Sequence, residues 1–178
     1  MCGIIGIISD KQVAGPIFDG LKRLEYRGYD SAGIATLAGG QLQRRRAEGK
    51  LDALAYELKA APLSGCVGIG HTRWATHGPA IEANAHPHRS EKVAVVHNGI
   101  IENYRDLKQH LMADGTEFTS DTDTEVIAHL FSRNLRAKDD VMAAAAATFA
   151  ALDGTYAVAL IVERLENRMI IARNGSPL

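Results

Sequence analysis

The chain has 178 residues, 46% of them hydrophobic and 23% charged, which is the composition of an ordinary globular domain with enough chain for a sizeable core. Its 20 basic residues nearly balance its 21 acidic ones, so no overall field favours nucleic acid or an anionic membrane as a partner. Two cysteines make no disulfide framework, and no basic stretch precedes the first apolar run, so we expect a cytoplasmic protein without a signal peptide.

Hydrophobic spacing in the first half of the chain predicts a strand, a helix, a β-hairpin, a second helix and two further strands. Alternating or continuous apolar runs indicate the strands, while apolar residues three and four positions apart indicate the helices. The glycine pair Gly39-Gly40 supplies the hairpin turn. In chain order these elements cover residues 2–9, 13–26, 32–37 with 41–47, 51–61, 67–73 and 92–97.

The second half predicts three helices followed by a closing β-hairpin. The middle helix is expected to begin at a capping box, in which Thr122 stands first and Glu125 three residues later. Because strands cluster at both ends of the chain and helices lie between them, we predict an α+β fold rather than a regular βαβ alternation. These elements lie around residues 104–111, from 122 onward, and at 139–152, 155–163 and 168–173.

The most informative residue is Cys2, because removal of Met1 would leave it with both a thiol and a free α-amine. Such an amine has a pKa of roughly 7.7–8.0, so it accepts a proton near neutral pH, which an amide within the chain does not. One residue would then supply nucleophile and base together. The alternative is that Cys2 merely begins a buried strand.

Asn98 and Gly99 form a dipeptide that is common in hairpin turns, and a plain turn is the simplest interpretation. The pattern after them predicts a helix instead of a second strand, which weakens that interpretation. The alternative is an oxyanion hole, in which the Asn98 side-chain amide and the Gly99 backbone N–H meet one developing negative oxygen.

Arg73 and Asp123 are candidates for binding the two charged groups of an α-amino acid. Arg73 closes a predicted strand beside Trp74, where it is either a surface arginine stacked on the ring or a bidentate clamp for a carboxylate. Asp123 falls in the first turn of a predicted helix, where capping is the ordinary role of a carboxylate. Its functional role would be to bind an ammonium group.

Five of the seven histidines fall between His71 and His97, so a metal site is an alternative to be weighed. His86 with His88, or His71 with His77, could supply metal ligands. No His-Glu-x-x-His helix, Cys-x-x-Cys pair or acidic cluster accompanies them, so the sequence predicts neither a metal nor a cofactor. Metal analysis of the purified protein would distinguish a histidine-based metal hydrolase from the cysteine mechanism.

Several long motifs, taken together, resemble those of the class II glutamine amidotransferases, which are N-terminal nucleophile hydrolases. The resemblance rests on CGI at the N-terminus, then RGYDSAG, HTRWAT and HNG in that order, and it covers nearly the whole chain. Residues 23–33, 84–88 and 120–129 resemble the branch of the family that converts fructose 6-phosphate to glucosamine 6-phosphate. Phosphoribosyl-transferring relatives are expected to have histidine and glutamine where this chain has Tyr26 and Tyr29.

The resemblance implies a four-layer αββα sandwich, with Cys2 at the end of a central strand. Cys2 would attack the side-chain amide of L-glutamine, release ammonia and form a γ-glutamyl thioester, which water hydrolyses to glutamate. Arg73 would bind the glutamine carboxylate and Asp123 its amino group. Asn98 and Gly99 would form the oxyanion hole. Of the other site residues that the resemblance implies, Trp74, Thr76, His77 and His86 line the pocket, and Arg27 and Gly28 support Cys2 and Asn98.

Two departures from the family pattern limit what this chain is expected to do alone. While Met1 remains, the Cys2 nitrogen is an amide and the base is missing, so a second hypothesis is a glutamine-binding or structural module. Intact mass separates the two. The resemblance also implies that the glutaminase domain, residues 1–178, is incomplete at its C-terminus, and that the sugar-isomerase domains that bind fructose 6-phosphate are absent. The sequence leaves the oligomeric state open, a homodimer included.

Overall fold

The first half of the chain forms one antiparallel sheet with two helices packed against it. The structure is a computed structural model that describes residues 2–75, 77–163 and 165–177. The strands are β1 (Gly3–Ile8), β2 (Ser31–Ala38), β3 (Gln41–Glu48) and β4 (Val67–Arg73), and the helices are α1 (Ala14–Leu24) and α2 (Leu51–Ala60). The strand order in this sheet is β1-β4-β2-β3.

The second half forms a second antiparallel sheet and three helices. Its strands are β5 (His88–Ser90), β6 (Val93–Ile101), β7 (Gly154–Val162) and β8 (Ile170–Asn174), and its helices are α3 (Tyr104–Ala113), α4 (Thr124–Lys138) and α5 (Val141–Ala150). The strands follow one another in the order β5-β6-β7-β8. Among the helices described, none has both the length and the apolar character that crossing a membrane requires.

The two sheets pack face to face, and the helices cover their outer faces. Because side chains alternate along a strand, Ile34 of β2 packs against α1 and α2, whereas its neighbour Ala35 packs into the layer between the sheets. Val96 of β6 and Ile161 of β7 reach that layer from the other side. A third apolar cluster joins the outer face of the second sheet to α3, α4 and α5. The predicted α+β fold and four-layer sandwich are therefore confirmed.

Strand β6 differs from its prediction in a way that matters for the site. The predicted strand ends at residue 97, but β6 continues through Asn98 and Gly99 to Ile101 and pairs with β7 along its whole length. Gly99 lies opposite Tyr156 in this ladder. The hairpin-turn interpretation of Asn98 and Gly99 is therefore wrong, because long-range strand pairing overrides the local turn preference.

Two further differences concern a strand and a helix end. Strand β1 lies at an edge of the described sheet, with β4 as its one neighbour, and not at its centre. The predicted capping box is also absent, since Asp123 occupies the N-cap position of α4 without a side-chain capping bond. Glu125 instead accepts hydrogen bonds from Thr119 and Ser120, further upstream. The residues of a capping box are present in the sequence, but the Glu125 carboxylate makes these longer-range hydrogen bonds instead.

Candidate active site

A cavity of about 1060 Å³ lies where the ends of the two sheets meet the beginning of α4. It draws its walls from both halves of the chain, so it exists only when the two sheets are packed together. Thr76 lies outside the described residues. The predicted site residues that line the cavity are Cys2, Arg27, Arg73, Trp74, His77, His86, Asn98, Gly99 and Asp123.

Cys2 immediately precedes β1 and is held by contacts from both sheets. The backbone N–H of Trp74 donates to its Sγ at 3.2 Å, and the Asn98 side-chain Nδ2 donates to its carbonyl oxygen at 3.3 Å. Burial raises the pKa of the Cys2 thiol, and the Trp74 hydrogen bond offsets this only in part. The thiol is therefore protonated at neutral pH, and it needs a base to become a nucleophile.

The Asn98 side-chain amide has a fixed orientation beside Cys2. Its Oδ1 lies 2.9 Å from Nε2 of His71, a buried residue of β4, while its Nδ2 faces the Cys2 carbonyl. Gly99, the next residue, has φ of +130°, and a Cβ at this position would lie 2.0 Å from the Thr155 carbonyl oxygen. Only glycine fits this backbone, which accounts for the Asn-Gly pair inside a strand.

Arg73, at the end of β4, is buried with 3% of its surface exposed, so the interpretation as a surface arginine stacked on Trp74 is wrong. Its guanidinium donates to the carbonyl oxygens of His77, Gly78 and Pro79, a turn that closes around it. These contacts hold the planar fork at the cavity wall. A guanidinium has five N–H donors, so donors remain for a carboxylate.

Asp123 is 4% exposed and lines the same cavity. Its Oδ2 accepts a hydrogen bond of 2.9 Å from the backbone N–H of Ile101, at the end of β6. The carboxylate is thus tied to the second sheet and does not cap α4, which was its ordinary role on sequence alone. Arg73 and Asp123 place one positive and one negative group in a single cavity.

The turn before β2 fixes the backbone around Arg73. The Asp30 N–H donates to the Arg73 carbonyl at 3.1 Å, and the Asp30 carboxylate accepts from Ala75 N at 2.7 Å. Gly28 is not part of the cavity lining, and a Cβ there would lie 2.8 Å from the Arg73 carbonyl carbon. The structure therefore brings Gly28 to the end of β4, while Arg27 lines the cavity itself.

The buried histidines are joined to the start of α4 by threonine hydroxyls. Thr124 Oγ1 lies 2.8 Å from His86 Nε2 and 2.9 Å from His97 Nδ1, and Thr122 Oγ1 lies 3.0 Å from His88 Nε2. Burial lowers the pKa of all three histidines, that of His88 to about 3. Within the ranges that the structure describes, no group of three or more histidine, cysteine, aspartate or glutamate side chains is arranged to hold a metal ion.

Several residues that shape the site have no role in it that the sequence analysis predicts. A polar pair inside an otherwise apolar strand, His71-Thr72, was a usable signal, because buried polar groups in strands are there to make specific hydrogen bonds. Arg46 gave no such signal, yet it donates to the carbonyl oxygens of Ala83 and Ala85 and so holds the loop before His86. Asp30 and Thr124 were missed in the same way, and Glu125 was predicted only as part of a capping box.

Comparisons of this chain with known proteins all indicate the same family. The sequence profile of the glutamine amidotransferase domain matches residues 71–177. The chain is 55% identical to the glutamine–fructose-6-phosphate aminotransferase (isomerizing) of Bartonella quintana and 56% identical to that of Mesorhizobium japonicum. Each match covers 100% of this chain and 29% of the relative, so the chain spans less than a third of the length of these proteins.

A solved structure of the same architecture is the glutamine phosphoribosylpyrophosphate amidotransferase from B. subtilis. It matches with a TM-score of 0.82 and 28% sequence identity, over 98% of this chain and 37% of that chain. The two-sheet architecture is thus shared with a protein whose sequence has diverged widely.

Proposed function

Because the chain belongs to the glutamine amidotransferase family, we propose that it hydrolyses L-glutamine to glutamate and ammonia through a γ-glutamyl thioester on Cys2. The observation that carries the proposal is the surroundings of Cys2. Its thiol lies in a cavity that also holds a buried arginine, a buried aspartate and the Asn98 side-chain amide. An α-amino acid with a side-chain amide is the substrate that this set of groups complements.

In the first half of the reaction, the Cys2 α-amine takes the thiol proton and the sulfur attacks the Cδ carbon of glutamine. The amide oxygen becomes an oxyanion, which the Asn98 Nδ2 and the Gly99 N–H stabilise. The C–N bond then breaks, and the protonated α-amine returns its proton to the leaving nitrogen, so that ammonia departs. This step requires Cys2 to be the N-terminal residue, because an amide nitrogen does not accept the proton.

In the second half, a water molecule attacks the thioester carbonyl and the same amine accepts a proton from it. The carbon–sulfur bond breaks, the protonated amine returns that proton to the departing sulfur so that the thiol is restored, and the product is glutamate. Throughout both halves, Arg73 pairs with the α-carboxylate of the substrate and Asp123 with its α-ammonium. Trp74, His77 and His86 form the surrounding wall of the pocket, and Arg27 and Gly28 support it.

The test uses protein whose intact mass shows that Met1 has been removed, and it compares two cysteine variants. Cys2→Ala should reduce ammonia release from glutamine by about 10⁴-fold or more, because no nucleophile remains. Cys66→Ala is the matched control and should retain activity. Acid-quenched mixtures of the unmodified protein should carry one glutamyl adduct on Cys2. Folded Cys2→Ala that released ammonia at the rate of the unmodified protein would exclude the mechanism.

For a polypeptide as long as these relatives, the proposal extends to amination of fructose 6-phosphate. The relatives with 55% and 56% identity are named for that reaction, and the structural relative named for a phosphoribosyl substrate is only 28% identical. Ammonia released at Cys2 would then be used by sugar-isomerase domains to form glucosamine 6-phosphate. Both cysteines are free thiols, which supports a cytoplasmic location. Formation of glucosamine 6-phosphate from glutamine by the full-length gene product tests this extension.

A second candidate is a glutamine-binding module without hydrolysis. It is favoured if Met1 is retained, because the Cys2 nitrogen would then be an amide. Intact mass and calorimetric titration with glutamine distinguish the two functions: binding without turnover in a Met1-retaining protein supports the module.

A further inference from the structure

The orientation of one side-chain amide decides whether the proposed oxyanion hole attracts or repels negative charge. An asparagine amide presents two hydrogen-bond donors from Nδ2 on one side and two acceptor lone pairs from Oδ1 on the other. With Nδ2 turned towards Cys2, Asn98 stabilises an oxyanion. Rotated by half a turn, it would present Oδ1 to the same oxyanion and destabilise it.

His71 lies on the far side of this amide. Its Nε2 is 2.9 Å from Asn98 Oδ1 and 3.1 Å from the backbone carbonyl oxygen of His97. A carbonyl oxygen only accepts hydrogen bonds, so the His71 Nε2 must carry a proton. Because this N–H also faces the Asn98 side-chain amide, the amide must turn its acceptor atom, Oδ1, towards His71. The His97 carbonyl therefore selects the His71 tautomer, and that tautomer selects the orientation of the Asn98 amide.

The surroundings of His71 hold its ring in one place and one charge state. Its side chain is fully buried, and its ring stacks on that of His86 with centroids 4.1 Å apart. Burial lowers the pKa of His71 to about 3, so the ring stays neutral at physiological pH. A neutral ring with its proton on Nε2 shares that N–H between the His97 carbonyl and Asn98 Oδ1. The other tautomer would lose the bond to the His97 carbonyl and would bond to Asn98 only if the amide were flipped.

We infer that His71 is a positioning residue for the oxyanion hole, whose Nε2–H locks the Asn98 amide with Nδ2 turned towards Cys2. This inference rests on the proposed function for its effect on catalysis. His71 does not touch the substrate and takes no part in proton transfer. It acts through Asn98, so its loss should lower kcat and leave KM for glutamine nearly unchanged.

The kinetic test is a double-mutant cycle between His71 and Asn98. His71→Leu removes the donor and should lower kcat by about tenfold or more, while His71→Gln restores an N–H donor and should recover much of the loss. Asn98→Ala alone should lower kcat by about 10²–10³-fold. Adding His71→Leu to Asn98→Ala should change kcat less than about twofold, because the amide that His71 orients is gone. An equal His71→Leu effect in both backgrounds would mean a general structural role and would overturn the inference.

A spectroscopic test decides the same point without enzyme activity. In ¹⁵N-labelled unmodified protein, the long-range ¹H–¹⁵N spectrum of His71 should show a protonated Nε2 and an unprotonated Nδ1. Nuclear Overhauser contacts of the Asn98 Nδ2 protons should reach Cys2 and not the His71 ring. A proton on Nδ1 would overturn the inference even if glutamine hydrolysis were observed. If the predicted tautomer were found in a protein that does not hydrolyse glutamine, the contact between His71 and Asn98 would stand and the proposed function would be rejected.

Discussion

At the scale of single residues, the function we propose assigns substrate selection to Arg73 and Asp123, two buried charges of opposite sign. Each is held by backbone groups: Arg73 by the carbonyl oxygens of residues 77–79 and Asp123 by the Ile101 N–H. Burying a charge is costly unless it is paired, so a substrate that leaves either one unpaired should bind poorly. The free energy of binding should therefore depend on both the carboxylate and the ammonium of the amino acid.

We predict that Asp123→Asn raises KM for glutamine about tenfold or more, because the ammonium loses its charged partner. Arg73→Lys should also weaken binding, since it keeps the charge but loses the planar fork. Steady-state ammonia release measures both variants. Asp121→Asn, two residues away and exposed, is the control and should keep the KM of the unmodified protein.

The same contacts predict discrimination against glutaramic acid, which is glutamine without its amino group. The unmodified, Met1-processed protein should hydrolyse it with kcat/KM lower by about tenfold or more, because Asp123 would be left buried and unpaired. Equal efficiency with glutamine and glutaramic acid would show that Asp123 is not an ammonium ligand.

At the scale of elements, the start of α4 is fixed by a carboxylate within its own first turn. Glu125 is 1% exposed, and it accepts hydrogen bonds from the backbone N–H and hydroxyl groups of Thr119 and Ser120. Although burial raises the pKa of this carboxyl, hydrogen bonds from His129, Ser120 and Thr119 hold it well below its usual range. The segment that these bonds tie down leads directly into Asp123.

We predict that Glu125→Ala lowers the free energy of unfolding by about 3 kcal/mol or more, because it leaves the buried N–H and hydroxyl of Ser120 and the partly buried donors of Thr119 without this acceptor. KM for glutamine should rise as well, since the Asp123 backbone loses its anchor. Urea denaturation and ammonia release measure the two effects. Glu117→Ala, at an exposed position in the preceding segment, is the control. Unchanged stability of Glu125→Ala would contradict this account of the helix start.

The elements themselves could be predicted from the sequence where the hydrophobic period was strong, and less well where contacts came from far along the chain. The helical spacing of α1 and the apolar run of β4 were sufficient because packing on one face dictates them. The course of β6 through Asn98 was not predictable, because it depends on pairing with β7 nearly 60 residues later. Likewise, motif resemblance named Arg73 and Asp123, but only the fold reveals the His71–Asn98 contact between the sheets.

At the scale of the whole molecule, buried neutral histidines make the fold sensitive to acid. His71, His86, His88 and His97 are each 5% exposed or less. Burial lowers the pKa of all four, for His71 and His88 to about 3. In the unfolded chain the same groups have a pKa of about 6.5. The unfolded state therefore binds more protons below that pH, and the stability present above pH 6.5 is lost as the pH falls towards the folded-state values.

We predict that the free energy of unfolding falls steeply between about pH 6.5 and about pH 5, by about 1.4 kcal/mol per pH unit for each buried histidine that stays neutral. Urea denaturation at a series of pH values measures the slope. His88→Gln should reduce the slope, whereas His110→Gln, at an exposed position, should leave it unchanged. A stability that did not vary across this range would contradict the burial of neutral imidazoles.

The proposed active site takes residues from both halves of the chain, and this has a practical consequence. All strands of the first sheet lie before residue 74, and all strands of the second lie after residue 87, with the exposed Ile81 between them. The proposed nucleophile belongs to the first half and the proposed oxyanion donors to the second. A polypeptide cleaved between residues 74 and 87 would therefore give two fragments, neither of which should hydrolyse glutamine alone. Arg46 of the first fragment would donate hydrogen bonds to the carbonyl oxygens of Ala83 and Ala85 in the second when the fragments associate. Recovered glutamine hydrolysis would report that the fragments had reassembled, as in a split-enzyme sensor.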